Sequence, residues 1–169
     1  MVLCALRCAS TEATVIVQAK SLPSKVTCLK FRRPDTFKYV AGQYLFLNIP
    51  ALARYEWHAF TISSAPENEF VTCHIRAMGD WTNDLYDMYK GGIPDSESPD
   101  YPHPTALARL DGPYGAATEE VFGHKVALLV AAGIGATPAA SVLQHVLARQ
   151  KQQTGCNTPN CNCKCSCCL

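Results

Sequence analysis

The sequence predicts a small antiparallel β barrel followed by the first strand–turn–helix unit of an α/β layer. Three observations predict it. Five or six short strand-like stretches lie between Ala13 and Leu110 at near-regular spacing, with turn residues between them. A single helix pattern, at Asp80–Lys90, interrupts them. From Lys125 the pattern changes to a continuous apolar run, a glycine turn and a helical repeat.

The first strand is Ala13–Lys20, whose TVIV core reads as buried. Pro23 and Ser24 mark a turn. Lys25–Phe31 alternates charged and apolar residues, with Val26, either Cys28 or Leu29, and Phe31 directed inward. Phe37–Tyr39 forms a short strand before the Ala41–Gly42 turn. Gln43–Ile49 alternates cleanly, with Tyr44 and Phe46 on one face. Trp57–Ser64 and Phe70–Ala77 are two further strands joined by Ala65–Pro66–Glu67–Asn68. Thr82 caps a helix on which Leu85, Met88 and Tyr89 share helical spacing, and Gly91–Gly92 ends it. The proline-rich, acidic stretch Ile93–Pro104 reads as an exposed loop. Thr105–Leu110 is the last barrel strand, closed by a turn at Asp111–Gly112–Pro113.

The second unit begins with the apolar strand Val126–Ala131, of the kind buried in a parallel sheet. Gly133–Gly135 is a glycine turn, and Ala139, Val142, Leu143, Val146 and Leu147 then recur at helix spacing. This is the first half of a nucleotide-binding βαβ unit. The expected division is an extension at 1–12, a barrel at 13–115, a partial nucleotide lobe at 116–150 and a cysteine-rich, disordered tail at 151–169.

Composition narrows the class. The 169 residues are 48% hydrophobic and 17% charged, which permits a sizeable core. A net charge of +1 with no basic stripe argues against nucleic acid as a partner. The longest apolar stretch, Val126–Ile134, falls short of the roughly 20 residues a membrane helix needs, so the chain reads as soluble and cytosolic. Of ten cysteines, six lie in the last 14 residues, and Cys4, Cys8, Cys28 and Cys73 are scattered. The body therefore fits a reducing compartment. The tail could bind a soft metal through thiolates, although it lacks paired C-x-x-C spacing. No metal site and no acid–base catalytic pair is assigned.

Four segments carry ligand chemistry. In Glu56–Glu67, alternation puts His58, Phe60 and Ile62 on one face and Thr61 and Ser63 on the other. An aromatic ring there can stack on a flat cofactor, and hydroxyls and amides can bond its polar edge. In His74–Thr82, an arginine at a strand end, a glycine and a helix start make a diphosphate site. Asp80 must point away from it. Asp111–Gly115 is a turn. In Ala132–Pro138, glycines allow close backbone approach to a pyrophosphate, and Pro138 suits a first helical turn.

Taken together and in this order, these segments resemble the dehydrogenase region of the NADPH oxidase and ferric reductase family. The strings carrying the resemblance are His58–Ser64 with Ala65–Pro66–Glu67, His74–Ile75–Arg76, Asp111–Gly115 and Gly133–Pro138, within Ala13–Arg149. One position departs: Ala59 stands where the family has proline, which loosens the backbone without abolishing binding. The resemblance implies a ferredoxin-reductase-like FAD domain. It implies that His58 lies near the flavin phosphates or ribityl chain, Phe60 against the isoalloxazine and Thr61 near its reactive edge. It places the FAD diphosphate at Arg76, Trp81 and Thr82, with Ser63, Ser64 and His74 completing the FAD set. Gly133, Gly135, Ala136 and Thr137 match positions that bind NADPH phosphates. The activity implied is electron transfer from NADPH through FAD toward haem and oxygen, or toward ferric iron. The partner is a membrane haem domain or a full-length oxidase, at the cytosolic face of a membrane. As written, the nucleotide lobe stops early, so the chain is expected to bind FAD weakly and turn over poorly. A non-catalytic regulator and a metal-binding tail protein are the alternatives.

Overall fold

In the computed structural model, residues 11–93, 103–115 and 117–153 are described. The extension at 1–10, most of the proline-rich loop and the tail from 154 lie outside the described residues, as do their cysteines. Six strands form one antiparallel sheet: β1 (Glu12–Leu22), β2 (Val26–Arg32), β3 (Tyr44–Asn48), β4 (His58–Thr61), β5 (Phe70–Arg76) and β6 (Leu107–Tyr114). Helix α1 (Asp80–Met88) lies between β5 and β6, and α2 (Thr137–Gln153) follows a short tight turn at Gly133–Ala136. No helix among the described residues is long and apolar enough to cross a membrane.

The strand order β4-β3-β6-β1-β2-β5 leaves β4 and β5 as the edges. The sheet curls until these edges approach, and one bridge, Ile62 to Cys73, joins them. The barrel is thus drawn together at a single seam rather than closed along a full strand pair.

Alternation explains the interior. Leu29 and Phe31 on β2, Leu45 and Leu47 on β3, Val71, Cys73 and Ile75 on β5, and Leu110 on β6 are all essentially inaccessible. Inward positions on β2 are Thr27, Leu29 and Phe31. This settles the Cys28-or-Leu29 choice and moves Val26 to the outer face, because side chains two apart share a face and Val26 has the opposite parity to Phe31. Full burial pushes the Cys73 thiol pKa well above its usual range, since a thiolate there would lose its hydration.

Three predicted elements differ. Phe37–Tyr39 is not a strand. A Phe37 N–H to Pro34 carbonyl bond of 2.9 Å turns the chain, and both aromatic rings enter the core. Asp111–Gly112–Pro113 is no terminal turn. Strand β6 continues through it to Tyr114, and the extra residue is taken up as a bulge where Gly112 has φ +135°. The apolar run Val126–Ala131 is not a strand, and Val126, Leu128 and Val130 are almost fully exposed. A strand needs a paired neighbour, and none lies beside this run among the described residues.

Helix α2 still docks on the barrel, through a face that buries Ser141, Val142 and His145. Ser141 Oγ donates to the Ser64 carbonyl at 2.7 Å and accepts from the Gly42 N–H at 3.3 Å. Gly42 has φ +95°, and a Cβ there would stand 2.9 Å from Thr118 Cβ, so only glycine fits. His145 Nδ1 meets Glu67 at 2.7 Å, and Phe122 packs edge-on against its ring. Leu143 and Leu147 face away, more than half exposed. Replacing the fully buried Ser141 by alanine strands both of its partners. The variant is predicted to lose about 1–3 kcal/mol in urea unfolding, with faster amide exchange at Gly42. Unchanged exchange at Gly42 would show that this contact does not hold the helix.

Candidate cofactor site

The β4 strand is positioned from behind by one buried side chain. Asn48 Nδ2 donates to the carbonyls of Ala53 (2.9 Å) and Glu56 (2.8 Å), fixing the loop that leads from β3 into His58. At the far end of β4, Tyr39 contacts Ser64 Oγ and the Ala65 carbonyl, both at 2.8 Å. Burial pushes the Tyr39 pKa up to about 12, so it remains a hydroxyl donor.

The predicted residues separate into two groups on either side of this strand. His58 and Phe60 turn toward Trp81 at the start of α1. The His58 and Trp81 ring centroids are 4.2 Å apart and those of Phe60 and Trp81 are 5.9 Å apart, all three rings nearly parallel. Glu56 lies 3.3 Å from His58 Nε2. Trp81 is buried, yet its indole N–H has no hydrogen-bond partner among the described residues.

Around the stack, the start of α1 is open. Its N-cap is Gly79, which carries no side chain to satisfy the first amides. Thr82 stands at the third helical position rather than the cap. Its hydroxyl accepts the Met78 and Gly79 N–H groups, both at 2.9 Å, so it organises the turn from within the helix. The Asp80 side chain is exposed, as its charge requires.

The second group lines a cavity of about 450 Å³ between the barrel and the start of α2. Ser63, His74 and Arg76 form its barrel wall, and Gly133, Ala136 and Thr137 form the opposite wall. Gly133 adopts φ +54°, which lets the chain turn sharply into the helix. Gly135 supplies its N–H to the Ala132 carbonyl within this turn and does not line the cavity. The wall therefore presents a guanidinium and the N-terminus of a 17-residue helix, both favourable to an anion. Thr61 lies between the groups at the end of β4, paired with Tyr44. Ser64 belongs to neither: its hydroxyl accepts the Thr72 N–H at 3.0 Å and meets Tyr39, so it serves the framework.

Sequence reasoning missed the β1–β2 hairpin tip. Leu22, Pro23, Ser24 and Val26 close one side of the cavity, and the Lys25 carbonyl accepts the Ala77 N–H at 2.9 Å beside the start of α1. Ser24 and Lys25 both have positive φ. The Pro23–Ser24 pair signals a turn, but nothing in it signals where the turn packs. Ile134 and Gln144 were missed for the same reason.

An FAD-binding domain family matches residues 11–118. The chain belongs to that family. A superoxide-generating NADPH oxidase heavy chain of Dictyostelium discoideum is 47% identical over 141 residues, covering 81% of this chain and 27% of that protein. Human NADPH oxidase 5 is 41% identical, covering 88% and 23%. The chain thus spans about a quarter of the length of these relatives. Among solved structures, a ferredoxin NADP+ reductase from Neisseria gonorrhoeae with bound FAD and NADP superposes with a TM-score of 0.58 at 17% identity, over 83% of this chain and 53% of that one. A ferredoxin-NADP+ reductase from Plasmodium falciparum gives 0.59 at 18% identity, over 90% and 58%. These two show the ferredoxin-reductase-like fold of the FAD-binding domain.

Burial lowers the His74 pKa below its ordinary value, because the charged imidazolium loses hydration. The unfolded chain then binds a proton at His74 more readily than the folded one. The stability this costs appears as pH falls through the unfolded value of about 6.5. Between pH 7 and 5.5 the wild-type chain is predicted to lose stability relative to His74→Gln, measured by urea unfolding. Parallel curves for the two proteins would contradict the burial effect.

Proposed function

We propose that this FAD-binding domain is the flavin segment of an NADPH-dependent oxidase. In the whole protein, electrons from NADPH pass through FAD to haem in a membrane domain and on to oxygen, giving superoxide or peroxide. The flavin domain then works at the cytosolic face of that membrane. The observation that carries the reading is the presence of three ligand-type features around β4 of a family-matched barrel. These are the His58–Phe60–Trp81 stack, the open start of α1, and the cavity shared by Arg76 and the Gly133–Thr137 turn. The relatives named as NADPH oxidases support the substrate and the product.

The residues present fit FAD. The unpartnered buried Trp81 N–H is a donor that a bound acceptor would satisfy, since leaving such a group bare costs about 1–3 kcal/mol. When bound, FAD supplies the redox chemistry, taking a hydride and releasing electrons singly. The protein supplies position and electrostatics. Phe60 offers an aromatic wall for the ring system, and His58 beside it is set for the phosphates or ribityl chain. Thr61, at the end of β4, is the hydroxyl nearest that wall in sequence. Arg76 and the first amides of α1 hold the diphosphate. Gly133, Ala136 and Thr137, on the facing wall of the cavity, would receive the phosphates of NADPH. The transfer requires no acid–base pair, so the decisive residues are those that fix distance and orientation.

An equilibrium FAD titration, read by flavin fluorescence and the visible absorption band, tests this. Saturable binding is predicted. Phe60→Ala is expected to weaken it about three- to tenfold through loss of ring contact, and Arg76→Ala about ten- to a hundredfold through loss of charged hydrogen bonds. A folded chain that binds no FAD, or variants that bind as well as wild type, would contradict the assignment.

A further inference from the structure

Ser63, Thr72 and His74 form a hydrogen-bonded cluster at the seam between β4 and β5. Ser63 Oγ lies 2.8 Å from His74 Nδ1, 3.0 Å from Thr72 Oγ1 and 3.0 Å from the Thr72 carbonyl. The Ser63 hydroxyl is almost fully buried, and its single proton can go to only one of these groups. The Thr72 carbonyl already accepts the Ser63 backbone N–H at 2.8 Å. One arrangement that uses both hydroxyl protons has Thr72 Oγ1–H donate to Ser63 Oγ and Ser63 Oγ–H donate to His74 Nδ1, in place of a bond from Ser63 Oγ to the Thr72 carbonyl. An imidazole whose Nδ1 accepts carries its proton on Nε2 when neutral. His74 lines the cavity together with Arg76 and the first turn of α2, and no hydrogen-bond partner among the described residues engages its Nε2. Arg76 and the helix start both favour an electron-rich ligand in that cavity, and an Nε2–H donor matches them.

We propose that Thr72 and Ser63 are positioning residues: a hydroxyl relay that fixes the tautomer of His74, so that its Nε2–H donates to an oxygen of the cofactor held in the cavity. The inference rests on the flavin reading above. Burial lowers the His74 pKa and so favours the neutral ring, for which the tautomer decides what the cofactor meets. The relay also explains a hydroxyl at 63 in chemical terms. An alanine there would leave β4 and β5 bridged through Ile62 and Cys73 but would free the imidazole to place its proton on either nitrogen.

The test uses the full chain labelled with ¹⁵N-histidine, with His74 assigned by comparison with His74→Gln. Long-range ¹H–¹⁵N spectra of the free protein are expected to show the Nε2–H tautomer, and Ser63→Ala is expected to mix the two tautomers. In FAD titrations Ser63→Ala should raise Kd about three- to tenfold, and Thr72→Val by a smaller factor. His74→Gln retains an N–H donor without needing the relay. In that background Ser63→Ala should have no further effect, whereas a purely structural serine would cost the same in both. An Nδ1–H tautomer in the wild type, or equal Ser63→Ala effects in both backgrounds, would overturn the relay. A wild-type chain that takes up no FAD would overturn the flavin reading instead, while the free-protein tautomer still decides the relay.

Discussion

The structure depends on the seam where the two edges of the curled sheet meet, at Ser63 and Ser64. A sheet of this order leaves β4 and β5 with unpaired backbone groups, and an open edge is a liability in any β protein. Here the Ser63 N–H reaches the Thr72 carbonyl, and Ser64 Oγ takes the Thr72 N–H, so side chain and backbone together replace a missing strand pair. The same serines reach outward. Ser64 receives Tyr39 from the barrel end and Ser141 from α2, while Ser63 turns to His74 in the cavity wall. Closing the barrel, docking the following helix and shaping the ligand cavity are thus consequences of one short junction.

That junction also explains why the helix that follows the glycine turn can be ordered while the run before it is not paired. Helix α2 satisfies its own backbone and needs only a face to rest on. It finds one through the buried Val142 and the bonds of Ser141, Gln144 and His145. The apolar run before it has no such independence. Its residues suit burial on both faces, but a strand is made by its neighbours, and the barrel offers it no edge. The exposed Val126, Leu128 and Val130 and the exposed Leu143 and Leu147 are the two apolar surfaces that a parallel sheet would bring together.

Much of this was legible in the sequence because it depends on local periodicity or on short strings. A buried apolar run located β1, short strand-like stretches between turns located β2 to β5, helical spacing located α1 and α2, and the order of four motifs indicated the flavin domain. The unread parts depend on contacts between distant residues. Phe37 and Tyr39 look like strand residues until the Pro34 turn sends both rings inward. Gly112 looks like a turn until β3 pairs on through it. Trp57–Ser64 shortens to His58–Thr61, which pairs with Tyr44–Leu47 of β3, and beyond it Ile62 bridges to Cys73 instead. Ser64 looks like a ligand residue by its place in the motif, yet its hydroxyl is engaged by Tyr39 and Thr72. The hairpin tip at Pro23–Ser24, which closes the cavity, carries no chemical mark of its role.

The central claim is that β4, the end of β5 and the start of α1 seat the flavin. Amide hydrogen exchange of the full chain with and without FAD tests it most directly. The account predicts added protection in two separated segments, His58–Thr61 and His74–Thr82, with the rest of the barrel unchanged. Protection confined to any other region, or none at saturating FAD, would contradict it.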